Sequence, residues 1–362
     1  MTAEAFDGAA RVLARAVEAG AFPAAVAEVG SSRRALWRQA FGRLGGPGSP
    51  DATTATVFDL ASLTKVLATG PIVMRLVDSG RLTVDDLVAR RVTAWRDEAR
   101  AAVTVRDLLA HCAGLTGYLP LYRDHHGRRE FERSICELPL EYAPRTRSVY
   151  SDLGFMLLGF IAQDAGGADL VDLFAPVAAL AGGEFVGFRP PVALRAHIAP
   201  TGLDAWRGRT LVGEAHDQNA WALGGIAGHA GLFGSAGAVG GIAREVMRGL
   251  RDEPATHAGP PPLATAATLR IFARRSPVPG SSRALAWDTM LPTSSCGARM
   301  APTALGHTGF TGTSLWIDWE RDVYAVLLTN RVHTGAGNDA ILGVRPAFHD
   351  AVMAALEGRG ER

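Results

Sequence analysis

Residues 58–65 read Phe58-Asp59-Leu60-Ala61-Ser62-Leu63-Thr64-Lys65, which places a serine three residues before a lysine. Residues three apart lie on the same face of a helix. If a helix begins near Ser62, the serine hydroxyl and the lysine amine point into the same space. A hydroxyl beside an amine is the arrangement of a nucleophile and its base. The competing interpretation is a solvated lysine that follows a serine by chance.

Lys65 is the only lysine of the chain. Thirty-seven residues are basic, and the other 36 are arginines. Arginine keeps its proton in proteins, whereas a lysine in a dry or cationic site can become a neutral base. An ammonium group in a chain that otherwise uses arginine therefore indicates that position 65 needs the chemistry of lysine.

The composition is that of a globular chain with balanced charge. The 362 residues are 48% hydrophobic and 20% charged, and the formal net charge is +1. This balance gives no reason to expect nucleic acid or an anionic membrane as a partner, and no uncharged stretch is long enough to span a bilayer. The acidic segment Met1–Asp7 does not resemble a signal peptide. We therefore expect a cytoplasmic location, or a periplasmic or secreted one if a leader has been removed. The oligomeric state stays open.

Histidine, cysteine and glycine patterns predict neither a metal site nor a cofactor. The three cysteines are an odd number at long spacings, which fits no disulfide framework or zinc site. His125 and His126 have no second ligand pair at a suitable spacing. Residues Gly335–Ala340 loosely resemble a dinucleotide-binding turn, but they come too late in the chain for a βαβ unit. An α/β-hydrolase is disfavoured because the chain contains no Gly-x-Ser-x-Gly motif. His216 and His229 flank a glycine-rich stretch and are candidates for a cleft wall.

The order of the predicted elements suggests one sheet built from distant parts of the chain. Alternating apolar runs predict strands at residues 23–29, 35–41, 313–319 and 323–330. Helical periodicity predicts helices at residues 3–19, 62–79, 238–250 and 346–356. Pro71 lies inside the second helix and is expected to bend it.

These elements predict two regions with a cleft between them. Residues 1–58 and 215–362 are expected to form an antiparallel sheet flanked by helices. Residues 59–214 are expected to form a mainly helical region. The active site is expected in the cleft where the two regions meet.

A second candidate motif is the segment Val149-Tyr150-Ser151-Asp152-Leu153-Gly154. A phenol can relay a proton when a nearby ammonium lowers its pKa, which makes Tyr150 a candidate. The alternative is a purely structural role, in which Ser151 or Asp152 caps the helix that follows. Both interpretations can hold together.

A third candidate motif is Gly306-His307-Thr308-Gly309-Phe310-Thr311-Gly312-Thr313, at the start of a predicted strand. Its glycines allow a ligand to approach the backbone. His307 offers a cation or hydrogen-bond donor, and Thr308 a hydroxyl, to a substrate carboxylate. The alternative is an edge-strand bulge with a satisfied histidine.

Taken in order, the three segments resemble the Ser-x-x-Lys, Tyr-x-Asn and Lys-Thr-Gly motifs of the serine β-lactamase and penicillin-binding-protein superfamily. The branch that the sequence resembles most is the class C β-lactamase-like serine hydrolases, which include esterases, D-aminopeptidases and DD-peptidases. The likeness extends from about residue 10 to residue 355. It implies an α+β fold with a five-stranded antiparallel sheet, helices on both sides of that sheet and an all-helical region.

The resemblance also implies a role for each motif. Ser62 is the expected nucleophile, activated by Lys65 and Tyr150, and the backbone N–H groups of Ser62 and Phe310 form the oxyanion hole. The residues beside the substrate are Asp152, His307, Thr308, Gly309 and Phe310. The implied reaction is acyl transfer through a covalent Ser62 acyl-enzyme, on small-molecule esters, amides or β-lactams. It needs no cofactor and no metal.

Two positions depart from the family motifs. Asp152 stands where asparagine is usual, and an ionised aspartate accepts hydrogen bonds but donates none. Near Lys65 it would also favour the charged ammonium. His307 stands where lysine is usual, and histidine is only partly charged near neutral pH. The sequence therefore predicts faster hydrolysis of simple esters or small amides than of β-lactams. The alternative is a non-catalytic or slowly acylated binding protein on the same fold.

Overall fold

The computed structural model describes residues 3–253 and 261–358, and its main sheet joins strands from distant parts of the chain. The strands are β1 Ala24–Gly30, β2 Ala35–Gly42, β3 Phe58–Asp59, β4 Val186–Phe188, β5 Gly202–Asp204, β6 Arg209–Leu211, β7 Leu232–Gly234, β8 Asp288–Thr289, β9 Leu305–Thr308, β10 Ser314–Asp318 and β11 Val323–Thr329. The main sheet has the order β2-β1-β11-β10-β9-β8 and is antiparallel, with Ala25 opposite Thr329 and Ser314 opposite Thr308. Strands β3, β7 and β4 form a small second sheet.

Helices cover both faces of the main sheet and fill the middle of the chain. They are α1 Asp7–Glu18, α2 Gly70–Asp78, α3 Val88–Arg91, α4 Val105–Leu109, α5 Gly127–Glu137, α6 Asp152–Gly166, α7 Leu170–Ala178, α8 Gln218–Ala222, α9 Ala236–Leu250, α10 Ala266–Ala273 and α11 Ile341–Glu357. Helix α11 begins earlier than predicted because Pro346 lies inside it rather than at its start. Within the described ranges, no helix combines the length and the apolar character needed to cross a bilayer.

The predicted fold class is confirmed, with one correction to the sheet. The resemblance implied five strands, and the sheet has six. The small edge strand β8 consists of two residues and pairs with β9. Two residues carry no alternation that a sequence pattern can show. The four strands predicted from alternation correspond to β1, β2, β10 and β11, with bounds that differ by one residue at most.

Strand β1 shows why the sheet needs helices on both sides. All seven of its residues are buried. Successive side chains of a strand point to opposite faces, and Val26 belongs to the core shared with α2, α6 and α9, whereas Ala27 belongs to the core under α1 and α11. A continuous apolar run is therefore the expected sequence of a strand covered on both faces.

The helical region and the sheet share one continuous core. Val26 of β1 and Phe155 of α6 belong to the same cluster of buried side chains. The segment at Gly228 approaches α6 so closely that a Cβ on this glycine would lie 2.1 Å from the Phe155 carbonyl oxygen. This close approach places His229 beside the buried end of Lys65. The boundaries predicted at 58/59 and 214/215 stay a prediction.

Candidate active site

The segment that carries Ser62 and Lys65 is helical but not a regular α-helix. Residues Lys65–Thr69 form a π-helical turn, which changes into α2 at Gly70. Pro71, which has no N–H to donate, lies at the start of α2, so the predicted bend corresponds to a change of helix type. Single π-turns are frequent at functional sites.

Ala61, immediately before the serine, has a left-handed backbone with φ of 47°. A non-glycine residue in this region is strained and persists only when its surroundings fix it. The Asp59 carboxylate supplies that support, because Oδ1 accepts from Ala61 N at 2.8 Å and Oδ2 accepts from His216 N at 2.7 Å. Asp59 therefore holds the backbone conformation of Ala61, which orients the Ser62 side chain after strand β3.

Lys65 is fully buried, and its ammonium contacts three acceptors. Nζ lies 3.1 Å from Ser62 Oγ, 2.7 Å from Asp152 Oδ1 and 3.0 Å from the His229 carbonyl oxygen. Burial alone would lower the pKa of Lys65, but the negative charge of Asp152 and the interactions with Tyr150 raise it above its ordinary value. Lys65 is therefore an ammonium at neutral pH, as the aspartate at position 152 led us to expect.

The second motif lies against the first, and its serine caps a helix. Ser151 Oγ accepts from Gly154 N at 3.3 Å at the start of α6, so the structural role predicted for it is confirmed. The Tyr150 ring centroid lies 4.9 Å from Lys65 Nζ. Burial raises the pKa of Tyr150, while the nearby Lys65 and Ser62 act in the opposite direction. Tyr150 is therefore a neutral phenol beside both the ammonium and the hydroxyl.

The third motif is held against the first by hydroxyl groups. Thr311 Oγ1 donates to the Asp59 carbonyl at 2.7 Å, and Thr313 Oγ1 donates to the Leu60 carbonyl at 3.1 Å. A Cβ on Gly309 would lie 2.6 Å from the Leu60 carbonyl oxygen, so this position requires glycine. The turn after β9 therefore lies directly against the strand that leads to Ser62.

Two backbone N–H groups are available where these motifs meet. Across residues 3–253 and 261–358, neither the Ser62 N–H nor the Phe310 N–H donates to a protein acceptor. Free N–H donors near a nucleophile are the groups that an oxyanion hole requires. The Phe310 side chain is 52% exposed and stacks on His216, with the ring centroids 5.7 Å apart.

His307 does not carry the partial positive charge that the sequence suggested. His307 is buried, and burial, together with the charges of Arg283 and Lys65, lowers its pKa well below the ordinary value. Its Nδ1 lies 2.7 Å from the Thr308 carbonyl oxygen. Since a carbonyl can only accept, Nδ1 carries the hydrogen and Nε2 presents a lone pair. His307 is therefore a neutral side chain whose Nε2 is buried, and not the cation or donor that the sequence suggested.

Arg283 is a cation near this site that the sequence did not single out. Its Cζ lies 5.1 Å from the Tyr150 ring centroid, and its side chain is partly exposed. Its positive charge also contributes to lowering the pKa of His111 and His307. One arginine among 36 carries no pattern that would have identified it.

A buried histidine–aspartate pair lies behind Lys65. His229 Nε2 is 2.9 Å from Asp217 Oδ1, and the His229 carbonyl oxygen accepts from Lys65. Burial would raise the pKa of Asp217, but the interactions with His229 and the Ala220 N–H lower it to about 2. Of the two histidines suggested for the cleft wall, His216 stacks on Phe310, and His229 contacts Lys65 through its backbone carbonyl. No group of three metal-ligating side chains is found in the part of the chain that is described.

The chain belongs to the β-lactamase family, whose sequence pattern it matches over residues 9–345. A "Putative D-alanyl-D-alanine carboxypeptidase" of Salmonella gallinarum is 30% identical over 323 residues, which cover 80% of this chain and 73% of that protein.

Solved structures show the same fold at lower identity. A penicillin-binding protein homologue from Caulobacter crescentus has a TM-score of 0.76 at 19% identity, covering 97% of each chain. EstCE1, a hydrolase with promiscuous acyltransferase activity, has a TM-score of 0.74 at 19% identity, covering 96% of this chain and 99% of its own.

The Asp59 carboxylate should make stability depend on pH. Burial raises its pKa to about 6, so the folded chain binds this proton more tightly than the unfolded chain. Its contribution to stability is therefore complete below about pH 4 and is lost as the pH rises through about 6, a change of about 3 kcal/mol. The difference in free energy of unfolding between wild type and Asp59→Asn, measured with urea, should change by this amount between about pH 3 and about pH 7.

Asp51→Asn serves as the control for that measurement, since it removes one negative charge from an exposed side chain. The interpretation is wrong if the difference in free energy of unfolding between wild type and Asp59→Asn stays constant with pH. It is also wrong if the difference between wild type and Asp51→Asn shows the same dependence on pH.

Proposed function

We propose that this protein is a serine hydrolase that transfers the acyl group of small esters, amides or β-lactams to Ser62 and then to water. The observation that carries the proposal is the 3.1 Å contact between Lys65 Nζ and Ser62 Oγ, beside the free N–H groups of Ser62 and Phe310. A hydroxyl and a cation are then in contact, and two free N–H donors lie on the same or the adjoining segment, which is the set of groups that acyl transfer to a serine requires. The peptidase name of the Salmonella relatives supports acyl transfer as the reaction type.

The protonation states of Lys65 and Tyr150 support one route for the proposed acylation. Lys65 is an ammonium that donates toward Ser62 Oγ, so it stabilises negative charge on that oxygen rather than removing its proton. Neutral Tyr150 exchanges the protons. As the bond from Ser62 Oγ to the carbonyl carbon forms, the serine proton passes to the phenol oxygen. The phenol proton passes to the leaving oxygen or nitrogen while its bond to the carbonyl carbon breaks.

The same relay run in reverse accounts for deacylation. A water molecule takes the place of the leaving group and gives a proton to Tyr150 as its oxygen attacks the acyl carbon. Tyr150 returns a proton to Ser62 Oγ as the acyl bond breaks. Charge on the carbonyl oxygen is held in both steps by the N–H groups of Ser62 and Phe310. Lys65 stays protonated throughout, which fits its contact with Asp152.

The substrate contacts are proposed to follow the third motif. Thr308, Gly309 and Phe310 line one side of the scissile bond, and Asp152 lies on the other side of Lys65. Because His307 is neutral, a substrate carboxylate is expected to meet the Arg283 guanidinium instead. An acyl group that presents a donor to Asp152 is favoured over one that presents only a carbonyl.

Simple esters are expected to be better substrates than β-lactams. Asp152 replaces a donor with an acceptor, and His307 replaces a cation with a neutral side chain. Each unpaired polar contact costs about 1–3 kcal/mol, or about fivefold to more than a hundredfold in rate. We expect kcat/KM for p-nitrophenyl acetate to exceed that for a chromogenic cephalosporin at least about tenfold. The double variant Asp152→Asn, His307→Lys should narrow this ratio. Faster turnover of the cephalosporin by the wild type would contradict the prediction.

A slowly acylated binding protein is the second candidate, because acylation depends on Tyr150 alone for removal of the serine proton. All three ammonium hydrogens have acceptors at rest, so this lysine is not a ready base. The mass of the protein after mixing with an ester separates the two functions. A transient increase on Ser62 with product release supports the hydrolase, whereas a persistent adduct supports the binding protein.

A further inference from the structure

Arg345 is a buried guanidinium without an acidic partner. It lies on α11 and is 6% exposed. Among the described residues, no carboxylate lies within ion-pair distance, and burial and the nearby charge of Arg331 lower the pKa of Arg345 to about 9. Burying an unpaired charge is costly. A side chain kept under these conditions needs a role that other residue types cannot fill.

The hydrogen bonds of Arg345 lead to the turn that carries Phe310. Nη2 donates to the Gly309 carbonyl at 2.7 Å and to the Thr313 carbonyl at 2.9 Å. The Gly309 carbonyl also accepts from Gly312 N at 3.0 Å. The carbonyl of Gly309 and the N–H of Phe310 belong to one planar peptide group. Donors at the carbonyl end of a peptide group strengthen the donor at its other end, because hydrogen bonds in a chain polarise one another.

Arg331 offers a comparison within the same turn. It is 7% exposed, and its Nε donates to the Phe310 carbonyl at 2.9 Å. That carbonyl belongs to the next peptide group, whose N–H is that of Thr311. Arg331 therefore has a similar burial and the same charge, but it does not act on the peptide group that presents the free N–H.

We propose that Arg345 is a positioning residue that orients and polarises the 309–310 peptide group, so that the Phe310 N–H binds the oxyanion more strongly as negative charge develops. This inference depends on the proposed acyl transfer at Ser62. Arg345 touches neither the nucleophile nor the substrate, and it acts through the backbone alone.

The test compares Arg345→Met, Arg345→Lys and Arg331→Met in the full chain. We expect Arg345→Met to lower kcat for p-nitrophenyl acetate about tenfold with little change in KM, since loss of a whole oxyanion donor costs about a hundredfold to a thousandfold. Arg345→Lys keeps a charged donor and should recover part of the rate. Arg331→Met should lower kcat less than about threefold.

A second measurement separates oxyanion binding from general damage. Sulfur is a weak hydrogen-bond acceptor, so a thionoester gains little from the oxyanion hole. The ratio of kcat/KM for an ester to that for its thionoester should fall about fivefold to tenfold in Arg345→Met and stay near the wild-type value in Arg331→Met. If Arg345→Met does not fold, as judged by circular dichroism, Arg345→Lys is tested instead. Its ester-to-thionoester ratio should then lie below the wild-type ratio by less than about fivefold.

The outcomes distinguish this inference from the proposed function. An unchanged ester-to-thionoester ratio in folded Arg345 variants, or equal losses in the Arg345 and Arg331 variants, overturns the role of Arg345. If Ser62→Ala still hydrolyses the ester, the proposed function itself fails.

Discussion

Ser62→Ala is expected to abolish ester hydrolysis and covalent labelling by a fluorophosphonate. The hydroxyl that would carry the acyl group is gone, and no other step of the proposed relay can replace it. A loss of at least about a thousandfold in kcat is expected, since removing a nucleophile from comparable triads costs more than this. Labelling is measured by intact-protein mass and turnover by release of p-nitrophenol.

Ser79→Ala is the matched control for this variant. Ser79 is an exposed serine at the end of α2, where its hydroxyl donates to the Leu76 carbonyl. It should be labelled and turn over substrate like the wild type. Labelling of Ser62→Ala at a rate near that of the wild type would place the nucleophile elsewhere.

Lys65→Met should lose both activity and stability. The fully buried ammonium pairs with Asp152, and breaking such a pair from one side leaves a carboxylate without its partner, which costs about 3–5 kcal/mol. Without the cation, charge on Ser62 Oγ is no longer stabilised, so kcat should fall about a hundredfold to a thousandfold. Urea unfolding and ester hydrolysis are the measurements.

The double variant Lys65→Met, Asp152→Asn separates the two effects. Removing both charges should recover most of the lost stability, because no partly buried carboxylate remains without its partner. It should recover no activity. Recovery of activity together with stability would show that Lys65 has only a structural role.

The sequence was sufficient for the fold class because its informative patterns are local. The runs that became β1, β10 and β11 carry enough residues for their character to be visible, and Ser151 caps α6 as its position before an apolar helix predicted. The three motifs that the structure brings together were also visible, since each contains a residue type that is rare in this chain or has a fixed spacing. The pairing of Lys65 with Asp152 followed from opposite charge.

The rest depended on contacts between distant segments, which one sequence does not show. The neutral state of His307 results from burial and from Arg283, which lies far from it in the sequence. The role of Asp59 depends on two backbone N–H groups, one of them at His216. Arg345 lies in the C-terminal helix among many other arginines, and only the structure shows which carbonyl it reaches.

The strand order determines when the site can exist during synthesis. Strand β1 pairs on one side with β11, and the Asn330 side chain that accepts from Ala24 N is 306 positions further along the chain. A nascent chain that has reached α6 already contains Ser62, Lys65 and Tyr150, but the turn with Phe310 has not yet been translated. Contacts of such long range form late. On the proposed mechanism, the growing chain on the ribosome therefore lacks one of the two proposed oxyanion donors, and acylation of Ser62 is expected only after the last strands have docked.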